Sequence, residues 1–301
     1  MTITYKDIQI LKMSQLDCSE EARREDLRGS LISKKFIRHH TLKDFSGCVL
    51  YRCYPKGIEG AIEVNPVESP LTFSLPHYGG VNLEDAYLPD VNLTRAYLYY
   101  ANLRNANLRD ANFSYAHLEN ANLQNANLQN AILRNADLRN ANLNSSNLQK
   151  AGFEYASLEN ASFENANLEG TRFSFADFEN ADFENANLKK ATLNGANFEN
   201  ASFKNANLEG ILAKRANLKS ANFQGANMDD ASLRLADLEN ANLENANLAE
   251  ANLKGANLRG TNLKGANLEY ASFKNAKYND KTIFPNTITE SQKSSMKRVK
   301  D

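Results

Sequence analysis

Tryptophan is absent from the 301 residues, and proline and glycine number only 6 and 14. Scarcity of both excludes a Pro/Gly-rich linker and a collagen-like polymer. Cysteine is equally rare: Cys18, Cys48 and Cys53 make an odd set confined to the first 53 residues. That excludes a disulfide framework and fits a reducing compartment. No run reaches the roughly 18 to 20 apolar residues of a membrane helix. Met1 to Gln15 alternates Ile and Leu with Tyr, Lys and Asp, without the apolar stretch of an export signal. The formal charge is −1, so no global field draws the chain onto nucleic acid or an anionic membrane. The expectation is a soluble, cytoplasmic protein with no membrane contact.

Catalytic signatures are missing too. There is no G-x-S-x-G, no Walker-type glycine loop and no H-E-x-x-H. Cys48-x4-Cys53 with His39 and His40 upstream is the nearest approach to a metal set, but no second ligand pair follows. The cysteines read as small core residues, and neither metal nor cofactor is expected. Most acidic residues recur on solvated positions, where no burial tunes a carboxyl for proton transfer. The chain is therefore not expected to be an enzyme.

What is present is a period of five. From Val81 every fifth residue is small and the residue two places later is large and apolar, as in Ala101 with Leu103 and Ala111 with Phe113. The register holds for forty pentads, with Ala first in 34 and Leu or Phe third in 37, so two inward positions of unequal volume are specified. A period of five matches neither 3.6 nor 2, which rules out one continuous helix or flat strand. The chain must turn every five residues. With each pentad as one side of a square, four pentads close a coil of twenty residues, and forty make about ten coils.

The motif A-(N/D)-L-x-x, spelled out in Ala101-Asn102-Leu103 and Ala241-Asn242-Leu243, resembles that of the pentapeptide-repeat family. The ending Tyr278 to Pro285 is similar to that family's usual terminus. The resemblance implies an all-β solenoid, a right-handed quadrilateral parallel β-helix. At about 4.8 Å per coil the tower would be about 48 Å long. Positions twenty apart should stack, placing Phe163, Phe183, Phe203 and Phe223 in one column and Phe178 with Phe198 in another. Asn107 through Asn267 should form an amide ladder.

Three segments are expected: residues 1–75, a small mixed α/β region or cap; residues 76–280, the β-helix; and residues 281–301, a C-terminal cap with a mobile tail. In the first, Asp17 or Ser19 caps a helix toward Phe36, and short strands follow at 48–54, 58–64 and 71–75. In the last, Tyr278, Ile283 and Phe284 close the core before Pro285 ends the pairing. Tyr87, Tyr97, Tyr99 and Tyr100 crowd the first coil and suggest a docked neighbour.

Sorting outward charges by residue number modulo twenty separates the four sides. The first (81–85, 101–105 and onward), second (86–90) and fourth (96–100) sum to −3, −4 and −5. The third (91–95, 111–115 and onward) carries Arg95, Arg134, Arg172, Lys214, Arg215, Arg234, Lys254 and Lys274 against Glu154 alone, a sum of +7. It also holds the outward residues Tyr115, Ile132, Tyr155, Phe175, Leu212 and Leu235. Aromatics beside arginines are the composition of interface centres. In the same side, Ile211-Leu212-Ala213 reverses the small-large order, so the wall is expected to be reshaped beside Lys214 and Arg215.

These residues point to a scaffold or regulator that takes an acidic protein partner on its third side. The alternative is that the chain's own N-terminal region or tail covers that side. A second function class, implied by the resemblance, is a DNA mimic that occupies a type II topoisomerase such as gyrase. That mode needs a dense negative surface, whereas the tower nets only −5. A third is direct nucleic-acid binding along the basic side, which the acidic flanks oppose.

Overall fold

The computed structural model describes Gly80 and residues 83–300. The expected helix and strands of residues 1–75, and Cys48, Cys53, His39 and His40, lie outside the described residues.

Each pentad makes one bridge and one turn. The second residue pairs in parallel with the residue twenty positions on, beginning at Tyr87 with Asn107. The pairs fall into four separate ladders, one per side, which run from coil to coil up the tower. Third-position amides donate to the next coil, as Leu103 N does to Asn122 O at 2.7 Å. Second-position amides reach the previous one, as Asn122 N reaches Ala101 O at 2.8 Å. The coil then corners through a β-turn closed by a bond such as Ala106 N to Leu103 O at 3.1 Å. From Asp85 to Asn275 the fifth residue of every pentad has φ between 54° and 71°. Asn and Gly tolerate that left-handed conformation best, which explains their abundance there.

First and third positions are buried together in one continuous core. The expected columns are present: Phe163, Phe183, Phe203 and Phe223 stack at 4.7, 4.9 and 4.8 Å. Phe178 and Phe198 stack at 4.7 Å with ring planes 5° apart. Hydroxyls that replace Ala inside are satisfied by backbone carbonyls: Ser146 donates to Leu143 O at 2.6 Å, Thr171 to Leu148 O and Thr261 to Leu238 O, both at 2.9 Å. The asparagine ladder has donations from Asn147 to Asn127 and an unbroken series from Asn187 to Asn167 up to Asn267 to Asn247, at 2.9–3.3 Å.

The reversed pentad disturbs the wall less than its sequence suggests. Leu212 keeps its bridges to Thr192 and Ser232, and Ile211 and Ala213 are both buried. The adjustment is taken up in the two flanking turns, whose closing bonds, Ile211 N to Leu208 O and Ala216 N to Ala213 O, both lengthen to 3.3 Å. A bulky corner residue and a small central one nearly conserve the enclosed volume, so the ladders stay in register.

The C-terminal end also differs from expectation. Strand β1 (Lys277–Tyr278) pairs in parallel with β2 (Lys297–Arg298), which continues the coil spacing of twenty, and helix α1 (Glu290–Ser294) lies between them. Residues 286–300 are thus structured where mobility was expected. Pairing resumes beyond Pro285 after α1, whose start is fixed by a capping box of Thr289 and Gln292. The Gln292 side chain also donates to Leu268 O at 2.7 Å, and Met296 enters the core. Tyr278 and Phe284 close the core as expected, in edge contact at 5.4 Å. Ile283 bridges Asn262 with its side chain 51% exposed, so it belongs to the wall and not to the plug.

Candidate partner-binding face

On the third side the fifth-position corner carries more bulky residues than on the other sides, four of them apolar. Arg95, Tyr115, Tyr155, Phe175, Arg215 and Leu235 occupy it at φ of 58–62°. Bulky L-residues are poorly suited to this conformation. Their side chains lean along the tower axis. Tyr155 and Phe175 stack at 5.3 Å with planes 12° apart. Arg134 lies over the Tyr155 ring at 5.5 Å and Arg95 over Tyr115 at 5.7 Å. Phe175 in turn covers Gly195, where an added Cβ would meet the ring at 2.7 Å, and Leu235 covers Gly255 in the same way. Those glycines answer both the positive φ and the close approach. The stack is wider than the core columns, and the coil-to-coil bonds from Tyr155 N and Phe175 N lengthen to 3.2 Å.

All six outward apolar residues of this side, Tyr115, Ile132, Tyr155, Phe175, Leu212 and Leu235, are exposed by 43% to 58%. Half of the exposed large hydrophobics among the described residues are therefore on one of four sides.

The cations divide into three groups. Arg95 and Arg134 rest on tyrosine rings. Arg172 is held in the wall, donating to Glu154 at 2.8 Å and to Lys150 O at 3.1 Å above Gly152. Lys214, Arg215, Arg234, Lys254 and Lys274 make no ion pair among the described residues. Lys214, Arg234, Lys254 and Lys274 share one pentad position on successive coils, so they form a straight row at about 4.8 Å per step. Elsewhere neighbouring coils answer such charges: Lys189 with Glu209 at 2.9 Å, Lys204 with Glu184 at 3.1 Å, Lys264 with Glu244 at 3.4 Å, and Arg259 with Glu239.

One cluster escaped the sequence reading. On the fourth side, His117, Glu119 and Asp137 bring an imidazole nitrogen and two carboxylates within 4.8 Å of one another. Tyr97 stacks on His117 at 4.9 Å and Tyr99 tilts toward it at 5.3 Å, so two first-coil tyrosines serve the tower itself. The Glu119 hydrogen bond raises the His117 pKa against an opposing burial effect. Burial, with Glu119 second, pushes the Tyr99 phenol up to about 12. Burial also acts to raise Asp137, but hydrogen bonds from Arg139 outweigh it and hold that carboxyl low. Arg139 lies 2.5 Å from Asp137 and 3.6 Å from Glu119, supplying the positive charge that the pair requires. Sorting by twenty places these residues together, but a charge tally that counts His as neutral passes over them.

The groove between the last coil and the cap, lined by Leu268, Tyr270, Phe284, Pro285 and Gln292, is open to solvent. No helix among the described residues is long and apolar enough to cross a membrane.

A five-residue turn unit, a core of stacked like residues and four parallel ladders define a pentapeptide β-solenoid. Family profiles agree. Pentapeptide repeats match residues 79–114, 106–144, 146–185 and 246–277, and a pentapeptide repeat region matches 176–258. The chain belongs to the pentapeptide repeat family. Among solved structures it is similar to HetL, a pentapeptide repeat protein involved in heterocyst differentiation regulation from the cyanobacterium Nostoc sp. strain PCC 7120. The identity is 35% over 65% of this chain and 84% of that one, with a TM-score of 0.43. It is also similar to alr5209 of Nostoc PCC 7120, at 30% over 38% and 84% with a TM-score of 0.19. QnrB1, a plasmid-mediated fluoroquinolone resistance protein, matches at 18% over 62% and 87% with a TM-score of 0.26. No curated protein shows significant similarity to the chain.

Proposed function

We propose that this protein is a non-enzymatic interaction scaffold or regulator, a right-handed quadrilateral β-helix of about ten coils whose third side binds an acidic protein partner. The observation that carries this reading is the coincidence on one side of exposed aromatics held at positive φ and a row of cations with no ion pair. Bulky residues at left-handed corners disfavour the fold by about 1 kcal/mol each relative to Asn or Gly. Aligned like charges add repulsion. Apolar residues at such corners recur on the third side as Tyr115, Tyr155, Phe175 and Leu235, against Tyr270 on the second and Tyr100 on the fourth, and features that work against stability are expected to gather where a surface is used.

The +7 sum of the third side favours an acidic partner by charge complementarity. DNA mimicry directed at gyrase finds less support, because cross-coil lysines and arginines answer several carboxylates on the acidic sides.

Affinity capture from the native extract tests the reading. Wild type is compared with Arg134→Glu, Phe175→Ala and Arg215→Glu, each checked for an unchanged circular dichroism spectrum. Proteins retained by wild type and lost by all three variants support the third side. Identical retention by all four chains would falsify it.

A further inference from the structure

The third side is not uniform along the tower axis. Its rings, Tyr115, Tyr155 and Phe175, all precede residue 176, and its unanswered cations, Lys214, Arg215, Arg234, Lys254 and Lys274, all follow residue 213. The surface therefore has an aromatic half and a cationic half in series. We infer that its ligand is an extended peptide segment with apolar residues at one end and a run of Asp and Glu at the other, lying along the tower axis. This rests on the reading of the third side as the binding face and specifies what it takes.

The ring geometry selects a peptide over a nucleic acid. Base recognition by aromatics needs an accessible ring face. Arg134 and Phe175 flank the Tyr155 ring, and Tyr155 and the backbone at Gly195 flank that of Phe175. What these two residues leave open is mainly ring edges, which suit aliphatic and aromatic side chains and offer no slot for a stacked base. The flanking second and fourth sides sum to −4 and −5, which repels a polymer charged at every unit but tolerates a segment whose charge is local.

The dimensions fix the length. Tyr155 and Lys274 are six coils apart, about 29 Å at 4.8 Å per coil, which an extended peptide spans in about nine residues at 3.3 Å each. The row from Lys214 to Lys274 covers about 14 Å of this, enough for four or five acidic residues.

Fluorescence anisotropy with labelled synthetic ten-residue peptides tests the inference. Two carry a Leu-Phe-Leu block and five alternating Glu and Asp residues separated by Gly-Gly, in the two opposite orders. A third has the same composition with apolar and acidic residues interspersed. A dT12 oligonucleotide is the nucleic-acid probe. The expected result is that one segregated peptide binds at least tenfold more tightly than the interspersed one and than dT12. Lys254→Glu combined with Lys274→Glu should weaken it at least tenfold and flatten its salt dependence. Phe175→Ala should weaken it several-fold with the salt dependence intact. Equal binding of segregated and interspersed peptides overturns the inference, as does tighter binding of dT12. Should no peptide bind while extract capture still depends on Arg134, Phe175 and Arg215, the inference fails and the binding face stands. Indifference in both assays removes both.

Discussion

At the level of single residues, the fifth pentad position separates what the fold wants from what the third side presents. Leu235 sits at φ 59°, half exposed, over Gly255. Leu235→Asn should raise stability by about 0.5–1 kcal/mol, read by chemical denaturation, because Asn visits the left-handed region readily. A loss of stability would show that the Leu235 contact outweighs its backbone strain. His117 gives a pH test. Its folded pKa is raised, chiefly by the Glu119 hydrogen bond, so its contribution is fully present below the unfolded value near 6.5. That contribution is lost as pH rises through the folded pKa. The melting temperature should fall between pH 6 and 8 in wild type, and the fall should shrink in His117→Asn. The positions of inward residues were legible because Ala and Leu differ in volume at fixed spacing. The corner stack was legible only as a list of outward aromatics, since ring-on-ring contact depends on which way each side chain leans.

Among structural elements, the aromatic columns and the C-terminal coil illustrate opposite degrees of legibility. Phe183 touches Phe163, Phe173, Phe178, Phe198 and Phe203. Phe183→Ala should destabilise the tower by about 3–5 kcal/mol in denaturant unfolding, because stacked neighbours on both sides limit collapse into the gap. A loss below 1 kcal/mol would mean that the columns repack freely. The stacks on Phe163 and Phe203 followed from residue numbers alone, twenty apart. The pairing of β1 with β2 did not, because α1 interrupts the pentad pattern and the capping box is a local signal with no period. Removing residues 286–301 should expose the ladder edge at Lys277–Tyr278, lower the melting temperature and promote end-to-end association on gel filtration. An unchanged monomer would show that Tyr278 and Phe284 seal the tower unaided.

Across the whole molecule, net charge conceals its arrangement: a chain of formal charge −1 carries +7 on one side. The ladders joining each residue to its counterpart twenty positions on have a consequence for engineering this arrangement, because chain length becomes rotational phase. Excising 181–200 removes a full turn and leaves every later residue on its original side. Excising 196–200 alone still satisfies the Ala and Leu or Phe rule but pivots everything after the cut by a quarter turn, so the lysine row leaves the line of Tyr155 and Phe175. Both shortened towers should melt cooperatively, and only the first should keep the ligand preference of the parent. A quarter-turn variant that binds normally would show that the two halves act independently. In this architecture insertions and deletions work like a combination lock, in which five residues turn the dial and twenty bring it home.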